Sequence, residues 1–345
     1  MGYNLEQKIG QMIMTGFRGE SPDENSTITK HIKQYNLGGV WLTDNESPMQ
    51  ETIGNISSPQ QLKNLTNSLQ QYADTPLFIA IDAEGGQVVR LKEKYGFPKT
   101  YSARTLGQKD DPDFTFQQAL KIAHLLKDIG INFNFSPVLD LDIHPESPAL
   151  GQKERCFSSD PEKVRIHAEQ VIKAHHQHDI LTCLKHFPGH GSTMDDSHHG
   201  FVDATESWDD KELKPYQHFI DNNMANAILT AHIFIKDFDD SHPATLSHSI
   251  ISELLRDKMG YKGVVISDDL NMGAIRLNYS YKEAVELAIK AGVDIILNSN
   301  VMQYNTNIAE ITFQTIKYLV QSGNISKTRI DKSFSRIMKL KRNLS

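Results

Sequence analysis

Eight short apolar runs of β type recur along the 345 residues, at 11–17, 39–43, 77–82, 131–137, 180–186, 227–232, 263–268 and 293–298. Most are followed by a stretch of helical periodicity. Residues 58–72, 114–128, 161–178 and 281–291 carry apolar side chains at three- and four-residue spacing, the mark of a helix with one buried face. Ser58-Pro59 and Asp160-Pro161 open two of them, each an N-cap followed by proline at the first helical position. Nearly continuous apolar strands alternating with helices imply a parallel sheet covered on its faces. Eight such units fit a closed α/β architecture, the (β/α)8 TIM barrel. It would be a single domain over residues 1–345, with a terminal helix at about 326–344. An open doubly wound sheet is the alternative, and it would place a glycine-rich phosphate loop after the first strand. Gly16-Phe-Arg-Gly19 is not that fingerprint.

Composition narrows the partners. A hydrophobic fraction of 39% suffices for a large core, and no run has the length of a membrane span. A net charge of −7 argues against nucleic acid or an anionic membrane as the main partner. The basic tail at 339–342 reads as a solvated helix end. Met1 to Lys8 lacks the basic and apolar regions of an export signal. The two cysteines, Cys156 and Cys183, form no framework. A cytoplasmic location is the expectation, with Cys183 a small buried hydrophobe.

In a barrel of this kind, functional groups belong at the C-terminal ends of the strands and in the loops that follow. Asp82 and Glu84 follow the third run, Arg155 lies in the loop region after the fourth, and Lys185 and His186 end the fifth. His232 ends the sixth, and Asp268-Asp269 the seventh. The fifth run opens into Phe187-Pro-Gly-His-Gly191, and further along this loop Asp196 stands two residues before His198. That spacing is a simple local way to orient an imidazole for proton transfer. Polar groups gathered at one mouth without a nucleotide fingerprint suit a neutral polyol such as a sugar. Glycoside chemistry needs a carboxylate on one face of the ring and a proton donor to the leaving oxygen. Asp268 can supply the first and His198 the second.

Six segments strengthen this reading: Asp82-Ala-Glu-Gly-Gly-Gln-Val-Val-Arg90, Asn134-Phe-Ser-Pro-Val-Leu-Asp140, Arg155-Cys-Phe-Ser-Ser-Asp-Pro161, Lys185-His-Phe-Pro-Gly-His-Gly191, Asp196-Ser-His198 and Ser267-Asp-Asp-Leu-Asn-Met272. In this order the chain resembles glycoside hydrolase family 3, and most of all its single-domain bacterial β-N-acetylglucosaminidase branch. The resemblance implies a retaining mechanism through a covalent glycosyl-enzyme, with Asp268 as nucleophile and His198 as general acid/base oriented by Asp196. It implies that Asp82, Arg90, Arg155, Lys185 and His186 hold the hydroxyls of the non-reducing sugar. The implied substrate is β-linked N-acetylglucosamine on a cell-wall muropeptide or a disaccharide, and no cofactor or metal is implied.

Two departures stand inside the motifs: Ser192 where the family often has Asp, and Cys156 in place of a common Ser. The expectation is a chain without the sandwich domain of the larger β-glucosidases. A phosphorylase using the same residues, with phosphate as acceptor, is the near alternative. A metal-dependent barrel hydrolase is a weaker one: thirteen of the fifteen histidines lie between His144 and His248, but the first strand lacks the His-x-His such sites use. A carbohydrate-binding protein without activity would not need Asp268, Asp196 and His198 together. Three further residues stay open or bland: Glu84 either binds sugar or braces the turn after it, His190 touches substrate or braces its loop, and Asp269 has a structural role because neighbouring strand residues face opposite ways.

Overall fold

A computed structural model describes residues 2–44, 54–194, 200 and 202–344. Eight parallel strands form its centre: β1 (Ile13–Gly16), β2 (Gly39–Leu42), β3 (Phe78–Ile81), β4 (Phe133–Asn134), β5 (Leu181–Phe187), β6 (Ala227–Thr230), β7 (Val264–Ile266) and β8 (Ile296–Asn298). Each pairs with its sequence neighbour, through Met14 with Gly39, Gly39 with Phe78, Ala80 with Phe133, Phe133 with Leu181, Cys183 with Ala227 and Ala227 with Val264. The β1–β8 pair sets Ile13 against Ile296, and a parallel bridge from Ile266 to Ile295 joins the last two strands. The sheet therefore closes, and no edge is left open. This is the (β/α)8 barrel that eight apolar runs require.

The strands are shorter than the apolar runs that announce them. The first run begins inside a helix, Leu5–Gln11, whose Asn4 and Gln7 side chains cap each other's backbone, so the strand starts only at Ile13. Residues flanking the other strands are mostly buried, and several still bond to a neighbouring strand, as the Phe135 N–H does to the Ile81 carbonyl (2.9 Å) and the Ile295 N–H to the Val265 carbonyl (3.1 Å). The helices fall where the periodicity puts them: Pro59–Gln71, Pro112–Asp128, Pro161–His176 and Tyr281–Ala291. Ser58, Asp111, Asp160 and Ser280 accept hydrogen bonds from their first turns. The strands are buried on both faces, which explains why they read as continuous apolar runs rather than alternating ones.

The bottom of the barrel is held by charge. Asp294, at the entry to β8, accepts from Arg256 (2.7 Å), Ser333 (2.6 Å) and Arg336 (3.1 Å). Lys339 and Arg342 of the basic tail are exposed, as expected of a solvated helix end, but Lys341 departs from that expectation. Lys341, the last residue of helix Lys327–Lys341, is buried and donates to Gln11 Oε1 (2.7 Å), the Gly38 carbonyl (2.8 Å) and the Pro76 carbonyl (2.5 Å). The aliphatic stem lets it cross apolar packing while its ammonium finds acceptors at the strand entries. Both ends of the described chain are thereby tied beneath the barrel, leaving the C-terminal mouth for chemistry.

Candidate active site

Immediately after β3 the chain turns through a two-stranded hairpin, Ala83–Gly85 against Val88–Val89. Gly85 and Gly86 adopt positive φ (107° and 58°), and a Cβ on Gly85 would lie 2.2 Å from the Tyr101 carbonyl. The two glycines are what this turn demands. Its base is fixed by Asn134 on β4, which accepts from the Ala83 N–H (3.0 Å) and donates to the Ala83 carbonyl (3.1 Å). Behind it, buried His175 accepts from the Asn134 amide (2.9 Å) and donates from Nδ1 to the Val171 carbonyl (2.8 Å). Burial pushes this imidazole down to about 4, which keeps it neutral and in the one tautomer the pattern allows. His175 is therefore a packed bracing group, while neighbouring His176 bonds to Asn226 (2.7 Å).

The hairpin carries Asp82, Glu84 and Arg90 into one network with groups from β4 and β5. Lys185, near the end of β5, donates to Asp82 Oδ1 (2.7 Å) and lies 2.6 Å from Glu84 Oε1. Arg155 grips Glu84 with both arms, Nε to Oε2 (2.8 Å) and Nη2 to Oε1 (2.7 Å), a fork geometry that fixes direction as well as charge. Arg155 also donates to His186 Nε2 (3.2 Å). His186 then donates from Nδ1 to Asp140 Oδ2 (2.6 Å). Arg90 approaches Asp82 Oδ2 at 3.5 Å and Asp44 Oδ1 at 3.9 Å, and Lys92 sits 2.7 Å from Asp44 Oδ2. All five residues expected to hold sugar thus belong to one bonded chain spanning β3 to β5.

Electrostatics follow from the packing. Burial alone would raise the Glu84 carboxyl, but Arg155 and then Lys185 overcome it and hold it far below the usual carboxylate range. Asp82 is likewise lowered: burial opposes, and Lys185 and Arg90 prevail. Lys185 is raised against burial by Asp82 and Glu84. Asp82, Glu84, Lys185 and Arg155 are thus held in their charged forms, each by the opposite charges beside it.

Two buried carboxylates missed at the sequence level hold the loop after β5. Asp140 accepts from the His186 N–H (3.2 Å) and the His190 N–H (2.8 Å). Glu212 accepts from the Gly191 N–H (2.9 Å), the Ser192 N–H (3.1 Å) and the Ser192 hydroxyl. Asp140 stands in a quoted motif and could have been suspected from it; Glu212, ahead of helix Leu213–Asp221, gave no signal. Glu84, left open between two roles, has its side chain only 4% exposed and all its described partners are cationic side chains. It braces. His190 is buried and its imidazole is lowered by burial against the pull of Asp140.

Asp268 stands two residues past β7 on the same rim, half-buried, and accepts from the Asp269 N–H (2.8 Å). Asp269 points elsewhere: it accepts from the Asn271 N–H (3.0 Å) and the Ser299 hydroxyl, tying the β7 and β8 loops together. Asp196 and His198 lie outside the described residues. Among the described residues, no group of three or more His, Cys, Asp or Glu side chains is placed to hold a metal ion, and no helix is long and apolar enough to cross a membrane.

The glycosyl hydrolase family 3 N-terminal domain matches residues 4–340. The chain belongs to glycosyl hydrolase family 3. Within the family it is 30% identical, over 98% of its length, to beta-hexosaminidase A of Pseudoalteromonas piscicida, and it spans 61% of that protein. It is 35% identical to a beta-hexosaminidase of Photobacterium profundum over 71% of this chain and 72% of that one. Among solved family 3 structures, a beta-N-acetylglucosaminidase from Paenibacillus sp. superposes with a TM-score of 0.89 at 33% identity, covering 99% of this chain and 63% of the other. A beta-N-acetylhexosaminidase from Beutenbergia cavernae gives 0.87 at 25% identity, with 99% of each chain covered. The chain thus spans about six tenths of the Pseudoalteromonas and Paenibacillus proteins and the whole of the Beutenbergia one.

Proposed function

We propose that this family 3 chain is a retaining exo-β-N-acetylglucosaminidase, a single catalytic domain acting on non-reducing β-linked N-acetylglucosamine of muropeptides or disaccharides. Its place would be the cytoplasm, where two unpaired buried cysteines are at home. The carrying observation is the bonded network of Asp82, Glu84, Arg90, Arg155, Lys185 and His186 on the same rim as Asp268. Hexosaminidase names among the relatives support the choice of sugar.

In this reading the network presents fixed donors and acceptors to ring hydroxyls, and the anomeric carbon faces Asp268. A carboxylate oxygen of Asp268 bonds to that carbon as the glycosidic C–O bond breaks. The leaving oxygen takes a proton from protonated His198, whose charge Asp196 stabilises. Water then attacks the glycosyl ester, His198 takes its proton, and Asp268 leaves as carboxylate; two inversions give net retention. Cations beside Asp82 and Glu84 keep those acids ionised, so neither competes with His198 as a proton donor.

The test is turnover of an aryl β-N-acetylglucosaminide by wild type and Asp268→Asn, with and without phosphate. The near-isosteric amide should lower kcat by at least ~10³-fold, and retention of more than about a tenth of the rate would remove Asp268 from the nucleophile role. Release of sugar phosphate instead of free sugar would make the enzyme a phosphorylase on the same residues.

A further inference from the structure

His232 stands two residues past β6 and is fully buried. A buried imidazole has two nitrogens to satisfy, and both are satisfied here. Nε2 lies 3.0 Å from the Asp269 carbonyl, and Nδ1 lies 2.8 Å from the Thr245 hydroxyl. A carbonyl can only accept, so Nε2 carries a proton and donates it. The Thr245 hydroxyl is also 2.8 Å from the Ala231 carbonyl, but that carbonyl already accepts from the Thr245 N–H (3.1 Å). The hydroxyl is therefore free to donate to Nδ1 and to accept from the Thr230 hydroxyl (2.8 Å). The bonds then run one way, from Thr230 to Thr245 to His232 to Asp269, and select the tautomer with its proton on Nε2.

What His232 holds is the residue that orients Asp268. Asp269 is pinned through each of its polar groups. Its N–H donates to Asp268 Oδ1 (2.8 Å), and its carbonyl accepts from His232 and from the Met272 N–H (3.0 Å). Its carboxylate accepts from the Asn271 N–H (3.0 Å) and the Ser299 hydroxyl. Met272, Asn271 and Ser299 belong to the loops after β7 and β8, whereas His232 ties Asp269 across to β6.

We propose that His232 is a positioning residue for Asp268: by holding the Asp269 carbonyl it fixes the backbone whose N–H aims the nucleophilic carboxylate. This role rests on Asp268 being the nucleophile. Without the bond from β6, residue 269 is free to rock in φ and ψ, and its N–H moves with it. In-line attack tolerates little of this, since a misplacement of about 1 Å at the reacting atoms costs ~10²-fold in rate. The groups that grip the sugar come from β3 to β5 and do not touch His232, so its loss should spare binding and slow the bond-making step.

The experiment uses a dinitrophenyl β-N-acetylglucosaminide and two His232 variants. His232→Phe keeps a ring and removes both nitrogens, with His232→Ala made alongside should the larger ring not fold. His232→Gln keeps an N–H donor at the reach of Nε2. His232→Phe should lower kcat/KM by ~10²-fold while N-acetylglucosamine still inhibits within about twofold of its wild-type constant, and His232→Gln should return to within ~10-fold of wild type. Asp268→Gly with added azide then separates positioning from any other role. Azide bonds to the anomeric carbon as dinitrophenolate leaves, so no carboxylate has to be aimed, and adding His232→Phe should cost no more than about twofold. A ~10²-fold loss in the azide-rescued protein, an equal loss of N-acetylglucosamine binding, or a His232→Phe enzyme within about twofold of wild type would overturn the assignment. Wild-type turnover by Asp268→Gly without azide would remove Asp268 as nucleophile, and the role of His232 would fall with it.

Discussion

Replacing Glu84 tests whether the network proposed to bind sugar is assembled from within. Its carboxylate receives two bonds from Arg155 at 2.8 and 2.7 Å and stands 2.6 Å from Lys185, with side-chain exposures of 4% for Glu84, 11% for Arg155 and 3% for Lys185. Glu84→Ala strips Arg155 of its fork and leaves Lys185 with Asp82 alone. Removing one partner of a buried pair costs about 3–5 kcal/mol, because the remaining charge stays desolvated. Against a typical total of ~5–15 kcal/mol that loss is large. Glu84→Gln keeps the shape and one acceptor but turns an amide N–H₂ toward a cation, so it should lose about 2 kcal/mol. Urea unfolding at pH 7 measures both. The pH dependence has a fixed sign: the folded carboxyl is lowered, so its contribution is present above the unfolded carboxylate value and fades as pH falls below about 4.5. Wild type and variant should therefore converge in acid. A Glu84→Ala protein within about 1 kcal/mol of wild type at pH 7, with KM alone affected, would show that Glu84 grips sugar directly and that the bracing argument is wrong.

Glu212 moves the opposite way. Burial pushes its carboxyl up to about 7, against the Ser192 hydroxyl and with help from Asp140. The folded state then keeps a proton that the unfolded chain releases, so stability is full below about pH 4.5 and declines by ~3 kcal/mol as pH rises to 7. Glu212→Gln should flatten that slope in urea midpoints taken between pH 5 and 8; parallel wild-type and variant curves would count against it. His198→Ala should cost ~10²–10⁴-fold on a disaccharide, whose alkoxide needs a proton to depart, yet barely slow glycosylation by a dinitrophenyl glycoside. Asp196→Ala should repeat the pattern more mildly, and equal losses across leaving groups would move the acid elsewhere.

The barrel was legible because its constraint is global. Eight strands buried on both faces can only be apolar throughout, and helices with one buried face show their period, so the runs at 77–82 and 180–186 and the helices opened by Pro59 and Pro161 stood out unaided. Boundaries were less legible, since apolarity marks burial and not sheet pairing. The run at 131–137 is buried except at Asn132, yet only Phe133–Asn134 pair as strand. Lys341 was misread for a related reason: a basic helix end looks solvated unless one knows that the carbonyls of Gly38 and Pro76 wait beneath the barrel.

The site divides along the same line. Residues that project from strand ends, such as Asp82, Lys185 and Asp268, could be placed on the rim because strand ends can be counted. Groups that act by holding backbone cannot, because an acceptor for two N–H groups has no preferred spacing from them in sequence. Glu212 lies about twenty residues past the Gly191 and Ser192 amides it holds, and Asp140 about fifty before the His190 amide. Their logic is physical. A loop that must present groups over the mouth while leaving the strand cannot satisfy its own N–H groups in a ladder, and buried N–H groups need partners. Carboxylates are the acceptors that can take two or three at once. Asp140 and Glu212 together hold the chain from His186 to Ser192, so the stem leading toward Asp196 and His198 enters that segment from a fixed point. The Ser192 departure fits this arrangement. Its hydroxyl donates to Glu212, where an aspartate would set a second carboxylate against a buried one that already favours its proton.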